Sequence, residues 1–273
     1  MRTKKRFGQN FLVDENYVNK IVTALHCHPD DIIVEIGPGM GSLTNKIINS
    51  VSRFVAIEID RDLHPLLIKN FGNSGNFELV KEDALKIDFN ELIESERKLK
   101  LVANLPYNIS TAILQKLIEQ RDVFSEMVLM FQKEVVERIT ADVGKKERGY
   151  LTVLTEAYLK KEKLFDVPPT AFKPIPKVWS SVVRLETKKE SEIGIENENL
   201  FKEIVGLGFG QKRKTIQNNL KNAPAELKKL FERKGGIVRV LEKSGIEINQ
   251  RAETIGLENW KGLCNFLVGK TRN

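Results

Sequence analysis

The sequence has few cysteines, no long apolar run and no internal repeat, and each absence excludes a class of protein. Two cysteines in 273 residues, Cys27 and Cys264, cannot form a disulfide framework and fit a reducing cytosol. No apolar run approaches the roughly 18–20 residues that a membrane-spanning helix needs. The basic residues 1–6 are followed by polar residues instead of an apolar signal core, so we expect no secretory signal.

Positive charge is concentrated in the last quarter of the chain. The formal net charge is +7 and the isoelectric point is about 9.2. Residues 201–273 carry a net charge of +8, whereas the preceding 200 residues carry −1. A basic segment beside a near-neutral one favours a polyanionic partner such as nucleic acid. A solvated basic surface without a ligand would have the same composition, so the motifs have to decide.

Apolar runs of strand length alternate with helical periodicity over the first two thirds of the chain. The runs at 32–36, 54–58, 77–80, 99–103 and 127–131 predict buried strands, and 15–26, 61–70, 110–119 and 133–141 predict helices. Asp14 and Ser110 are candidate helix N-caps. Segments 158–165 and 182–185 resemble a closing hairpin pair. This alternation predicts an α/β fold in which a parallel sheet carries helices on both faces.

A change in composition divides the chain. Residues 188–199 are polar and charged and predict a linker. Beyond it the periodicity is helical and no strand is evident, which predicts a small C-terminal all-helical domain of about four helices. We therefore expect a first domain over 1–187, a linker over 188–199 and a helical domain over 200–273.

Three glycines follow the first predicted strand in the sequence Glu35-Ile36-Gly37-Pro38-Gly39-Met40-Gly41. Glycines there let the backbone turn sharply and let a ligand approach the main chain. The spacing departs from the dinucleotide pattern G-x-G-x-x-G because the third glycine comes one residue early. Glu35 disfavours a pyrophosphate beside the turn and favours a cationic ligand. An ordinary tight turn remains the alternative reading.

Two further carboxylates follow the next two strands. Glu58 ends the second strand, where it can accept hydrogen bonds from ribose hydroxyls, and Asp83 follows the third, where it can accept one from an adenine amino group. Either residue alone could be a helix cap or a solvated charge. Open α/β sheets bind ligands at the carboxyl ends of their strands. Together with the glycine turn, the two acids predict a site for S-adenosylmethionine.

The most specific signal is Asn104-Leu105-Pro106-Tyr107 at the end of the fourth strand. An exocyclic amino nitrogen of adenine is a poor nucleophile because its lone pair is delocalised into the ring. The Asn104 side-chain oxygen and the Leu105 carbonyl can accept its two N–H groups, and Pro106 restricts the conformation of Leu105. Tyr107 offers an aromatic face to an extruded base. The alternative is a strand that ends in a proline turn.

These motifs resemble those of methyltransferases that act on exocyclic nitrogens, with the pattern [DNS]-[IPL]-P-[YF]. The whole chain resembles the ribosomal RNA adenine N6,N6-dimethyltransferase family, most closely its KsgA-type small-subunit branch, and residues 5–12, 167–174 and 209–220 match further motifs of that family. The resemblance implies a Rossmann-like class I methyltransferase sheet in the first domain and an rRNA-binding second domain. It implies S-adenosylmethionine contacts at Asn10, Leu12, Gly37, Gly39, Glu58, Asp83 and Asn104. It further implies that Phe172 stacks on the target base opposite Tyr107. Trp179 departs from the pattern, since relatives often carry a small or acidic residue there.

The resemblance also implies a reaction and partners. We expect dimethylation of two adjacent adenosines in the 3′-terminal hairpin of 16S rRNA, within the pre-30S particle in the cytoplasm. We expect a monomer, no metal and no membrane contact. The candidate phosphate contacts are Lys4, Lys5, Arg6, Lys212, Arg213 and Lys214.

Other functions stay open at this point. One is a 23S rRNA methyltransferase of the macrolide-resistance type, against which the basic segment 209–220 argues. Another is a DNA adenine methyltransferase, which would usually carry Asp-Pro-Pro-Tyr and a target-recognition domain. A third is a ribosome-assembly factor that acts mainly by binding.

Overall fold

The computed structural model describes residues 10–93 and 97–269. Its contacts define two compact units. The first runs to Val136 and takes in Leu159–Thr187, and the second comprises Glu137–Tyr158 and the chain from Lys188 onward. This division differs from the predicted boundaries, because residues 137–158 belong to the second unit. The predicted linker 188–199 is also folded in part, as it contains a short helix, Glu190–Ile193, and the start of another helix.

The elements of the first unit alternate along the chain as predicted. Its strands are β1 Phe11–Leu12, β2 Ile32–Ile36, β3 Arg53–Ile57, β4 Phe77–Val80, β5 Leu99–Asn104, β6 Phe124–Gln132, β7 Leu159–Val167, β8 Phe172–Lys173 and β9 Ser180–Thr187. Its helices are α1 Glu15–Ala24, α2 Thr44–Ile47, α3 His64–Phe71 and α4 Ser110–Glu119, and α5 Lys133–Ile139 crosses the unit boundary. Asp14 caps α1 as expected, since its side chain accepts a hydrogen bond from the Asn16 N–H. Ser110 is the first residue of α4 instead of its cap, and its hydroxyl donates to the Tyr107 carbonyl.

Seven of the described strands form one sheet in the order β4-β3-β2-β5-β6-β9-β7. Strands β2 to β6 pair in parallel, and β9 is antiparallel to both β6 and β7. Every residue of β2 is buried, as expected for a central parallel strand covered on both faces. The strand order reverses beside β2, so the carboxyl ends of β2 and β5 flank the crevice where open α/β sheets bind ligands.

The core on one face of the sheet joins α1, α2 and α3 to alternate strand residues. Ile33, Phe54, Val102 and Val128 come from four adjacent strands and are all buried in this cluster. The alternation follows from the strand period of two, which sends every second side chain to the same face. This packing fixes the register of the strands, and the register sets the positions of the loops that follow them.

The short strand β1 lies in a second, two-stranded ladder with β8, in which Leu12 pairs with Phe172. The N–H groups of Val13 and Asp14 both donate to the Ala171 carbonyl. The Ser42 hydroxyl donates to the Leu12 carbonyl at 2.9 Å, so the ladder is also joined to the loop after β2. These bonds place the residues around β1 beside the glycine turn.

The second unit is helical. Its helices are α6 Tyr150–Tyr158, α7 Glu190–Ile193, α8 Glu198–Gly208, α9 Ile216–Leu220, α10 Ala225–Arg233, α11 Ile237–Lys243 and α12 Leu257–Val268. Trp260 is fully buried at its centre and stacks on Phe209. Gly208 is required there, because a Cβ would lie 2.4 Å from the Trp260 ring. Within the described ranges, neither unit has a helix long and apolar enough to cross a membrane.

Candidate active site

One cavity of the first unit opens at the carboxyl ends of β2, β3 and β5 and collects most of the predicted site residues. Those that line it are Asn10, Leu12, Gly37, Gly39, Glu58, Asp83, Asn104, Leu105, Pro106 and Tyr107. They come from segments that are far apart in sequence, and the parallel sheet brings their ends to one edge. The predicted juxtaposition of the four motifs is therefore present.

The glycine turn leaves room for a ligand. Gly37 and Gly39 have φ angles of 69° and 60°, a region that L side chains rarely adopt. A Cβ on Gly37 would meet nothing within 4 Å, so the backbone there faces open space. A Cβ on Gly39 would instead lie 2.8 Å from the Phe11 ring, which packs against the turn. The turn therefore needs glycine for its backbone conformation, for ligand access and for the close approach of Phe11.

Glu58 is held by the backbone around the turn. Its Oε2 accepts a hydrogen bond from the Gly39 N–H at 3.2 Å, and its Oε1 accepts one from the Asp60 N–H at 2.8 Å. The side chain is buried, and this burial raises the pKa of its carboxyl even though both N–H donors favour the charged form. Each oxygen keeps a second lone pair, so the carboxylate can still accept bonds from two vicinal hydroxyls.

Glu35 is the most buried acid of the cavity wall. Its Oε2 accepts a hydrogen bond from the Thr44 hydroxyl at the start of α2. Burial raises the pKa of Glu35 from 4.5 to about 8, and the nearby Glu58 adds to the rise. With this pKa the carboxyl is mostly protonated at neutral pH, and a cationic ligand group beside it would favour the charged form.

We expect the Glu35→Gln variant to change how stability depends on pH. The folded protein holds a proton on Glu35 up to about pH 8, whereas the unfolded chain releases it near 4.5. The contribution of Glu35 to the free energy of unfolding is therefore fully present below about pH 4.5 and is lost as pH rises through about 8. Urea unfolding at several pH values should show that the free energy of unfolding of the variant, relative to that of the wild type, increases as pH rises, by on the order of a few kcal/mol.

The exposed Glu91 provides the control for this comparison. The Glu91→Gln variant should follow the wild type at every pH. A difference between Glu35→Gln and the wild type that stays constant with pH would mean that Glu35 is ionised in the fold.

Asp83 follows β4 and lines the same cavity. Its Oδ1 accepts a hydrogen bond from the Leu85 N–H at 2.9 Å, which closes a local turn. The turn fixes the side chain beside the cavity and leaves Oδ2 as an acceptor. Asp83 therefore has the local capping role that was the alternative reading and also a position at the cavity.

The Asn104–Tyr107 motif is tied to its surroundings at three points. The Asn104 Nδ2 donates to the Asn10 carbonyl at 3.0 Å, so its Oδ1 is the atom that can accept from a substrate amino group. The Leu105 N–H donates to the Met130 carbonyl at 3.2 Å. The Pro106 carbonyl accepts from the N–H groups of Ile109 and Ser110, which leads the chain into α4. The motif is a fixed arrangement of acceptors at the end of β5.

Tyr107 is fixed by its hydroxyl group. It is hydrogen bonded to the Ser180 hydroxyl at 2.9 Å, and Ser180 is the first residue of β9. Burial raises the pKa of the Tyr107 phenol, which stays neutral at physiological pH. The ring is half-buried and borders the cavity.

Phe172, which is expected to stack on the target base, has a buried side chain in the structure. Its side chain is 1% exposed and lies in the hydrophobic core around α1 to α3, and it is not among the residues that line the cavity. The pairing of β8 with β1 turns this side chain inward. In this conformation Phe172 is a core residue, and its stacking on the target base stays a prediction.

The predicted phosphate contacts fall into two groups. Lys4, Lys5 and Arg6 lie outside the described residues. Lys212, Arg213 and Lys214 are exposed in the loop between α8 and α9, just before Thr215, which caps α9. The structure therefore presents the second group on the surface of the helical unit.

Sequence reasoning missed three contributors to the cavity. Phe11 packs on the glycine turn, Ser42 ties the turn to β1, and the backbone carbonyl of Asn10 orients Asn104. The glycine at position 39 indicated a close neighbour, but the sequence did not show that this neighbour is Phe11. The Asn10 carbonyl carries no side-chain signal.

This strand order, the glycine turn at β2 and the acid at the end of β3 define a class I methyltransferase that uses S-adenosylmethionine. The sequence model of the family described as "Ribosomal RNA adenine dimethylase" matches residues 1–262. The chain belongs to this family and is an S-adenosylmethionine-dependent rRNA adenine dimethyltransferase.

Individual relatives agree with this assignment. The chain is 40% identical over 266 residues to a Clostridium perfringens protein named "Ribosomal RNA small subunit methyltransferase A", covering 97% of this chain and 91% of the relative. The crystal structure of a dimethyladenosine transferase from Plasmodium falciparum matches with a TM-score of 0.78 and 27% identity, covering 93% of this chain and 95% of that one. The structure of the 23S rRNA methyltransferase ErmE matches with a TM-score of 0.70 and 25% identity, covering 95% of this chain and all of that one.

Proposed function

We propose that this protein transfers methyl groups from S-adenosylmethionine to N6 of two adjacent adenosines in the 3′-terminal hairpin of 16S rRNA, giving N6,N6-dimethyladenosine. The observation that carries the proposal is the Asn104 amide, whose nitrogen is engaged by the Asn10 carbonyl so that its oxygen can accept from an amino group. The name and 40% identity of the Clostridium perfringens relative favour 16S over 23S rRNA as the substrate.

The chain's own groups would prepare the nucleophile. Asn104 Oδ1 accepts one N–H of the adenine amino group and the Leu105 carbonyl accepts the other, which holds the nitrogen toward a pyramidal geometry. Its lone pair is then directed at the incoming methyl group, while Tyr107 offers a face for the base. The bound cofactor supplies a methyl group on a positively charged sulfur. A neutral Asn suffices, because the proton can leave after the transfer.

The remaining cavity residues would hold the cofactor. Glu58 accepts from the ribose hydroxyls, Asp83 from the adenine amino group, and the open backbone at Gly37 admits the chain of the amino acid. Asn10, Leu12, Gly39 and Asn104 complete the wall. Glu35 is a buried part of the same wall and would favour the cationic end of the ligand.

The helical unit would bind the RNA. Its exposed Lys212, Arg213 and Lys214 suit phosphate groups, as would Lys4, Lys5 and Arg6, and such contacts weaken as salt rises.

The two cysteines are both free. We further propose that the protein acts as a monomer on the pre-30S particle in the cytoplasm.

Methyl transfer to 30S subunits that lack the modification tests this function. We expect labelled S-adenosylmethionine to give N6,N6-dimethyladenosine in 16S rRNA, identified by nucleoside mass analysis, with none in 23S rRNA or duplex DNA. A variant with Lys212, Arg213 and Lys214 all replaced by Gln should bind cofactor normally but modify 30S subunits at least tenfold more slowly.

Other outcomes would assign the alternatives. Label in 23S rRNA would identify a large-subunit enzyme, and label in duplex DNA a DNA methyltransferase. Binding to 30S subunits without transfer would leave an assembly factor.

A further inference from the structure

The loop between β8 and β9 exposes apolar side chains beside the candidate active site. Ile175 is 66% exposed, Val178 is 41% exposed and Trp179 is 49% exposed. The chain's other tryptophan, Trp260, is fully buried in the helical unit. Half of a large aromatic side chain left in water contributes little to the core, so the exposure of Trp179 calls for a partner.

The backbone of Trp179 is held next to Tyr107. The Trp179 carbonyl accepts a hydrogen bond from the Lys133 N–H at 2.9 Å. The next residue, Ser180, pairs with Gln132 in the sheet and is hydrogen bonded to the Tyr107 hydroxyl. The backbone that carries the exposed ring is therefore fixed. It lies one residue before Ser180, which holds Tyr107, the residue proposed to contact the target base. Stacking of a ligand on this ring would therefore cost the protein little conformational entropy.

The charge around the ring is positive. The Lys133 ammonium lies 5.9 Å from the centre of the Trp179 ring, within the range of a cation–π contact. Lys133 also pairs with Asp166 at 2.9 Å, which neutralises part of its charge. Lys177 is exposed in the same loop and Lys173 is exposed at the end of β8, and residues 172–180 contain no acid. An aromatic face among cations is the chemistry with which proteins bind unpaired nucleotides.

We infer that Trp179 and Lys133 form a stacking subsite for an unpaired RNA base that neighbours the adenosine entering the cavity. The inference rests on the proposed RNA substrate. The subsite would add affinity for a strand whose bases are splayed out, and it would not touch the cofactor. Trp179 is thus a positioning residue for the RNA.

Tryptophan fluorescence and kinetics test the subsite on the full-length protein. We expect a short single-stranded oligoadenylate to quench the emission of the wild type, and a duplex RNA of equal length to have little effect. The Trp179→Phe variant retains the emission of the buried Trp260, which should not respond. We expect Trp179→Ala to raise the KM for 30S subunits about tenfold and Trp179→Phe less than about threefold. In both variants kcat and the affinity for S-adenosylmethionine should stay within about twofold of the wild type.

The opposite results would overturn the inference. No quenching by oligoadenylate would leave a surface for another kind of partner, such as a protein. Equal KM changes in the Ala and Phe variants, or a loss of cofactor affinity, would indicate a structural role for Trp179. If the wild type fails to methylate 30S subunits, the proposed function falls first. The quenching experiment then tests the stacking subsite independently. Quenching of the Trp179 emission by oligoadenylate would support the subsite, and no quenching would exclude it.

Discussion

Replacement of Asn104 by alanine is expected to lower kcat for methyl transfer by about 10²–10³-fold at saturating cofactor. The amide of Asn104 is oriented by its bond to the Asn10 carbonyl, so its oxygen is preorganised where the amino nitrogen becomes positive during transfer. Alanine removes this acceptor and also the donor to Asn10. Single-turnover kinetics with 30S subunits measure the chemical step apart from binding.

Two variants control this experiment. Asn104→Asp keeps an acceptor but places a carboxylate beside the Asn10 carbonyl, so we expect a smaller loss of kcat than for alanine. Asn73 is exposed after α3, and Asn73→Ala should match the wild type. If Asn104→Ala transfers methyl groups at the wild-type rate, the amide takes no part in activating the nucleophile.

The second large effect is expected on cofactor binding. Replacing Glu58 with alanine should raise the Kd for S-adenosylmethionine by about 10²-fold, because two charge-assisted hydrogen bonds to the ribose are lost. The change also leaves the N–H groups of Gly39 and Asp60 without their acceptor, which loosens the glycine turn. Isothermal titration calorimetry on the full-length protein measures this Kd.

The glutamine variant separates the two causes. Glu58→Gln keeps one acceptor oxygen for the turn or the ribose, so the rise in Kd should be nearer tenfold. The exposed Glu91 again offers a control, Glu91→Gln, that should bind as the wild type does. Cofactor binding by Glu58→Ala as tight as that of the wild type would exclude the ribose role.

The parallel strands could be predicted from the sequence because each is a short apolar run that the sheet buries on both faces. The run at 32–36 coincides with β2, and that at 77–80 with β4. Burial on most sides also explains why helix α6 was missed. Most of its residues, among them Thr152 and Thr155, are buried, so it has no polar face to give a period of 3.6. The β1–β8 ladder was missed because each of its strands has only two residues, too few to show a hydrophobic period.

The site could be predicted as a set of residue types at strand ends, but not in its contacts. The motif around Asn104 indicated an acceptor, whereas the direction of the amide depends on a backbone carbonyl 94 residues away. Phe172 matched a family motif, yet its burial follows from the pairing with Leu12. The acidic side chain of Glu35 was visible in the sequence, while its high pKa arises from burial, against which the Thr44 hydrogen bond acts.

The pairing of β1 with β8 has a consequence for synthesis. The partners of residues 10–14, which lie around 171–173, leave the ribosome only about 160 residues later. At ~5–20 residues per second this delay is roughly 8–30 s. Strands β2 to β6 are all made in that interval. During the same interval β1, whose segment supplies Asn10 and Leu12 to the cavity wall, lacks its partner strand β8. The enzyme thus becomes able to enclose its cofactor only after β8 has been translated, although the segment that completes the enclosure is made about 160 residues before it.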